Sequence, residues 1–103
     1  MRKIEAVIRK SKFKEVKKQL IEGKFDLFTY SLVRSISESS EKKIYRGVEF
    51  DSSAVDRISL SLYVNYTDVT RATQIIAEAG STGDADDARI YVFEVNQALK
   101  LSS

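Results

Sequence analysis

Asp84, Asp86 and Asp87 fall within one short stretch. Carboxylates so close together could offer hard oxygen ligands to Mg²⁺ or Ca²⁺. No glutamate stands where a calcium-binding loop would need its bidentate ligand, and a solvated acidic loop is the simpler reading. No metal site is assigned. Nothing else resembles paired catalytic carboxylates or an activated nucleophile. The chain has no histidine and no cysteine. That excludes a Ser-His-Asp triad, a thiolate nucleophile, a disulfide and a Cys/His zinc site. Neither GxxxxGK[ST] nor GxGxxG occurs, so no standard phosphate cradle is present. No catalytic residue is assigned.

Binding chemistry is better represented. Tyr45, Arg46, Gly47, Glu49 and Phe50 interrupt a polar, Ser-rich stretch. Tyrosine and arginine are enriched at protein-binding hot spots, so this segment is a candidate recognition element. Tyr91 and Phe93 lie two apart, as base-stacking aromatics do on RNA-recognition sheets. The accompanying Gly-aromatic and basic pattern is missing, so they read as core or interface residues, and no nucleic-acid partner is expected. Residues 1–24 hold nine Lys/Arg against three Asp/Glu, although the whole chain carries only +2. A basic first helix could touch phosphates or an acidic partner, while a solvated helix face is the simpler account.

These residues need elements to position them. Ile4 to Ile8 alternate as a strand. Ser11 stands where a helix cap belongs, and Phe13, Val16, Leu20 and Ile21 follow with helical spacing up to Gly23. Leu27 to Val33 alternate again. Residues 35–55 show no clear periodicity and read as a long loop, and loops of about twenty residues are usually functional or disordered. Arg57 to Val64 alternate as a third strand. Asp68 is placed to cap a helix through Val69, Ala72, Ile75, Ile76 and Ala79, ended by Gly80. A second polar loop covers 80–88. Arg89 to Phe93 form a fourth strand, and Asn96 to Leu101 a short turn or strand.

The order is βαβ, long loop, βαβ. It predicts an α+β, ferredoxin-like split βαβ repeat, with a four-stranded antiparallel sheet and two helices on one face. The other face would need cover, expected to be apolar or aromatic, and self-association is the simplest source. At 103 residues there is room for a single domain, 1–103. No run of apolar residues is long enough to span a membrane. The opening residues lack a secretory pattern, which with the missing cysteine points to the cytoplasm.

The opening Met1-Arg2-Lys3-Ile4-Glu5-Ala6-Val7-Ile8-Arg9 resembles the start of the PII signalling proteins. So do Phe13-Lys14-Glu15-Val16-Lys17, the Ile44-Tyr45-Arg46-Gly47-Val48-Glu49-Phe50 segment, and Thr82-Gly83 with Arg89-Ile90-Tyr91-Val92. The resemblance runs through about residues 1–100. It implies a homotrimeric regulator, linked to nitrogen regulation, that binds ATP or ADP between subunits. A flexible loop, here 35–55, would engage a membrane transporter or a metabolic enzyme.

On the matched positions, Thr29 falls on the strand lining the adenine pocket, and Ser35 and Ser37 at the base of the loop. Arg57 stands where the family has a lysine facing 2-oxoglutarate and phosphate. Thr82 and Asp87 keep the identity of the second loop, Ala88 aligns with one of its glycines, and Arg89 replaces a phosphate-binding lysine. Lys100 stands for the first of two C-terminal arginines. Several positions depart from the pattern. Asp86 and Ala88 replace glycines that allow close approach to phosphate. Glu38 and Ser39 stand where a Mg²⁺- and 2-oxoglutarate-holding glutamine belongs, so the need for Mg²⁺ is open. Ser102 replaces the second arginine, and Phe50 a modifiable tyrosine. These departures argue against 2-oxoglutarate sensing and uridylylation; binding of ADP, ATP or AMP survives them, with ADP or AMP preferred because Asp84 and Asp86 repel a longer polyphosphate. The alternatives are an interaction module that has lost nucleotide binding, or a weak ATPase. Recruitment to the membrane by a transporter would fit the regulator.

Overall fold

Alternation along β1 (Arg2–Arg9) sends Ile4, Ala6 and Ile8 to one side, and all three are fully buried. The same rule along β5 (Val55–Val64) buries Ile58, Leu60, Leu62 and Val64. The computed structural model describes residues 1–36, 42–45, 48–51, 54–83 and 88–101. Its remaining elements are α1 (Phe13–Glu22), β2 (Phe28–Ser35), β3 (Lys42–Tyr45), β4 (Val48–Asp51), α2 (Val69–Gly80) and β6 (Arg89–Glu94).

Four strands make one antiparallel sheet in the order β2-β5-β1-β6. β1 lies between β5 and β6, with Ile8 opposite Ile58 and Ala6 opposite Ile90. β2 lies outside β5, with Thr29 opposite Ser61. Each helix therefore crosses from its strand to the next but one, and the two βαβ units interleave as the α+β, ferredoxin-like order requires. Val16 and Leu20 of α1 and Ala72 and Ile76 of α2 close over the buried strand residues, with Phe25 at the edge. Both helices cover one face.

Helix entry differs from the expectation. A 3-10 turn over Lys10–Lys12 precedes α1, and a second over Tyr66–Asp68 precedes α2. Neither Ser11 nor Asp68 caps a helix with its side chain. The tighter turns change the geometry that a side-chain cap needs, and Asp68 instead approaches Arg71 at 3.8 Å. At the end of α1 the left-handed residue is Lys24 (φ 71°), not Gly23. Gly23 instead marks a close approach of α2: a Cβ there would lie 2.8 Å from Ile75 Cδ1, and that side chain would have to shift.

Two further expectations need correction. Residues 35–55 are not wholly irregular. β3 and β4 form a separate antiparallel ribbon, with Lys42 opposite Asp51, Ile44 opposite Glu49 and Tyr45 opposite Val48. Neither strand belongs to the four-stranded sheet; each has only four residues, and although Val48 and Phe50 alternate with Glu49 and Asp51 in β4, β3 (Lys42-Lys43-Ile44-Tyr45) shows no alternation to match it. At the C-terminus, residues 95–101 adopt no regular element; Val95 N–H donates to Met1 O at 3.2 Å, and the segment continues from there.

Candidate functional site

The sheet face away from the helices collects the alternate set of side chains. The register sets them in rows: Val33, Arg57 and Arg9; Ser31, Ser59, Val7 and Arg89; Thr29, Ser61, Glu5 and Tyr91; then Tyr63, Lys3 and Phe93. This face was expected to be apolar or aromatic. Most of it is hydroxyl-bearing or charged instead, and the aromatics gather at one end. There Lys3 Nζ sits 5.7 Å from the Phe93 ring centroid and 3.9 Å from Glu5. Tyr91 and Phe93 are nearly half exposed and lie outside the core.

The opposite end of the face is basic. Arg57 is directly across from Arg9, and Arg89 is across from Val7, diagonal to Arg9. Three guanidinium groups thus come from three adjacent strands onto one face. Like charges directly opposite on a sheet repel. Each of the three arginines is engaged in an interaction of its own. Arginine offers a planar fork of donors that suits the oxygens of a phosphate or carboxylate. Sequence reasoning singled out Arg57 and Arg89 but missed Arg9. Its signal was its place on β1, on the same face as Glu5 and Val7, but only the pairing of β1 with β5 sets it beside Arg57.

The root of the long segment is at this same end. β2 and β5 stay paired as far as Ser35 opposite Val55, two residues before Arg57. On the helix side of the same root, Arg34 Nε meets Asp56 Oδ1 at 3.3 Å. Thr82, just after α2, and Ala88, just before β6, lead to this end; Thr82 is exposed and Ala88 packs partly against the core.

Other expected residues lie elsewhere. Thr29 is on the edge strand β2, four residues from Val33, or about 13 Å along the strand. Lys100 is exposed beyond the far end of β6. Neither is brought to the arginines within one chain. Tyr45 ends β3, and Glu49 and Phe50 lie on β4. Ser37, Arg46, Gly47 and Asp87 lie outside the described residues, as do Asp84 and Asp86. Among the described residues, no cluster of His, Cys, Asp and Glu could hold a metal ion, and no helix is long and apolar enough to cross a membrane. A groove of about 360 Å³ between the helices, lined by Glu15, Gln19, Ile75 and Glu78, holds none of the expected site residues.

Comparison with known proteins identifies the family. The family model described as nitrogen regulatory protein P-II matches residues 1–103. The nitrogen regulatory protein P-II of Porphyra purpurea is 30% identical over 102 residues, covering 98% of this chain and 91% of that protein. That of Rhodospirillum rubrum is 28% identical with the same coverage. A nitrogen regulatory PII-like protein of Bacillus subtilis is 26% identical, covering 98% of this chain and 88% of its own length. With the interleaved βαβ sheet already in place, the full-length match means that the chain belongs to the nitrogen regulatory protein P-II family, whose members are signal-transduction regulators rather than enzymes.

Proposed function

We propose that this chain is a cytoplasmic, homotrimeric regulator that binds an adenine nucleotide at its subunit interfaces. The observation carrying this reading is the gathering of Arg9, Arg57 and Arg89 at the root of the 35–55 segment. Three guanidinium groups suit a polyphosphate, and their position links its charge to the segment that would meet a partner. Thr29, on the adenine-lining strand, is about 13 Å along β2 from the arginine row, and Lys100 trails from the opposite end of the sheet. A site using all of them draws on more than one subunit, which fits the trimers that P-II proteins form.

The ligand is ADP, ATP or AMP, held through its phosphates by Arg57 and Arg89 with the support of Arg9. A ligand that binds one arrangement of the 35–55 segment more tightly shifts the segment toward that arrangement. The segment, with Tyr45, Arg46, Gly47, Glu49 and Phe50, then engages a membrane transporter or a metabolic enzyme. Titration calorimetry tests the first step, using ATP, ADP and AMP with and without Mg²⁺, then with 2-oxoglutarate added. Micromolar binding near one nucleotide per subunit, unaffected by 2-oxoglutarate, is expected. No heat with any nucleotide overturns the reading and leaves an interaction module of the same fold.

A further inference from the structure

Residues 10–24 hold six lysines, two glutamates and no arginine. α1 sorts them. Val16 and Leu20 point into the core, and Glu15 and Gln19 line the groove toward α2, bonded to one another at 2.9 Å. Lys14, Lys17, Lys18 and Ile21 follow i, i+3, i+4, i+7 and share the remaining side. Lys10 and Lys24 bracket that stripe, and all of these residues are exposed. None of these lysines forms an ion pair among the described residues, whereas Arg2, Arg34 and Arg71 each have a carboxylate partner. The chain's net charge of +2 therefore conceals a strongly basic helix face.

We infer that this stripe docks on an anionic lipid bilayer. Lysine is a hydrated point charge without the fixed fork that reads a single carboxylate or phosphate, and it suits a fluid array of anionic headgroups. Ile21, 45% exposed, lies within the stripe, and Leu27, 86% exposed, follows Lys24. Apolar groups among lysines can enter the boundary between headgroup and acyl chain. A single-stranded nucleic acid would favour aromatic stacking partners on this face. Phe13 is instead turned against Tyr30, with ring centroids 4.5 Å apart. The stripe belongs to the helix layer, on the opposite side of the sheet from Arg9, Arg57 and Arg89. Docking and nucleotide binding therefore use separate surfaces.

The test is co-sedimentation of the full chain with vesicles of one part phosphatidylglycerol to two parts phosphatidylcholine, against phosphatidylcholine alone. Partition onto the anionic vesicles only is expected. It should be lost at 1 M salt, where the screening length falls to about 3 Å. Each lysine removed should cost roughly fivefold, so Lys14→Gln with Lys17→Gln and Lys18→Gln together should lower partition about a hundredfold. Circular dichroism checks that this variant keeps its melting temperature, and Arg57→Gln should leave partition unchanged. Equal partition onto both vesicle types, no partition onto either, or an undiminished triple variant would overturn the inference. So would binding of single-stranded RNA or polyglutamate without vesicle binding, which would give the face to that polymer.

Discussion

Replacing Arg57 with glutamine separates ligand binding from folding. Arg57 and Arg89 are separated by two strand spacings and one two-residue step, or about 12 Å between backbones. Two long side chains at that spacing can meet neighbouring phosphates of one nucleotide. A hydrogen bond to a charged group contributes about 1.5–3 kcal/mol, so Arg57→Gln should weaken ADP or ATP binding about 10- to 150-fold. The effect on the unliganded fold should be small. The substitution relieves the like-charge pairing with Arg9 and gives up the interaction Arg57 makes of its own, and a cross-strand pair is worth roughly 0.2–1 kcal/mol. For a domain of this size, 1 kcal/mol moves Tm by about 4–8 °C. The expected pattern is therefore a large loss of affinity by calorimetry with a Tm change below about 8 °C. Unchanged affinity would remove Arg57 from the site. A collapse of Tm would show that it holds the fold, and the phosphate assignment would fail with it.

Other substitutions probe the frame. Leu60→Ala empties a fully buried position at the centre of the sheet and should destabilise by about 2–5 kcal/mol, read as a lower urea midpoint. Arg71 donates to Gly23 O, lies 4.2 Å from the Phe25 ring centroid and pairs with Asp68. Arg71→Met should cost about 1–2 kcal/mol by removing the hydrogen bond to Gly23 O and the cation over the Phe25 ring, whereas Arg34→Ala, at an exposed ion pair, should cost less than about 1 kcal/mol. Equal urea midpoints for the two variants would contradict the tie between helices. Deleting 37–50 should leave the proposed trimer intact by light scattering and abolish partner capture; retained capture would move the partner surface elsewhere.

Much of the fold was legible because its core strands obey a period of two. β1 and β5 bury every second residue, and no tertiary knowledge is needed to see Ile58, Leu60, Leu62 and Val64 as one face. The same alternation places Ser59, Ser61 and Arg57 on the other side, and in that respect the polar open face was already written. The expectation of an apolar cover came from the general need to cover a sheet. β3 and β4 escaped notice because each is only four residues long and β3, Lys42-Lys43-Ile44-Tyr45, carries no alternation to pair with that of β4. The helix entries escaped because Ser11 and Asp68 have the chemistry of caps but sit in 3-10 turns. Arg9 escaped because its meeting with Arg57 is a matter of register across 48 residues. Thr29 and Lys100 lie apart within one chain, so linear spacing could not bring them to the arginines.

The position of β1 has a consequence for how the molecule is made. Of the four sheet strands, β1 is synthesised before the others, yet it is flanked by β5 and by β6, the latest of the four, with Arg2 paired to both Val64 and Glu94. At about 5–20 residues per second, residues 10–94 take on the order of 4–17 s to synthesise. Throughout that time Ile4, Ala6 and Ile8 lack at least one neighbouring strand. No N-terminal fragment contains a finished sheet, and chains ending before Arg89 leave the middle strand as an open apolar edge, the kind of edge that recruits other chains. Closure of the sheet is therefore tied to synthesis of β6, and termination before it yields an aggregation hazard rather than a smaller working regulator.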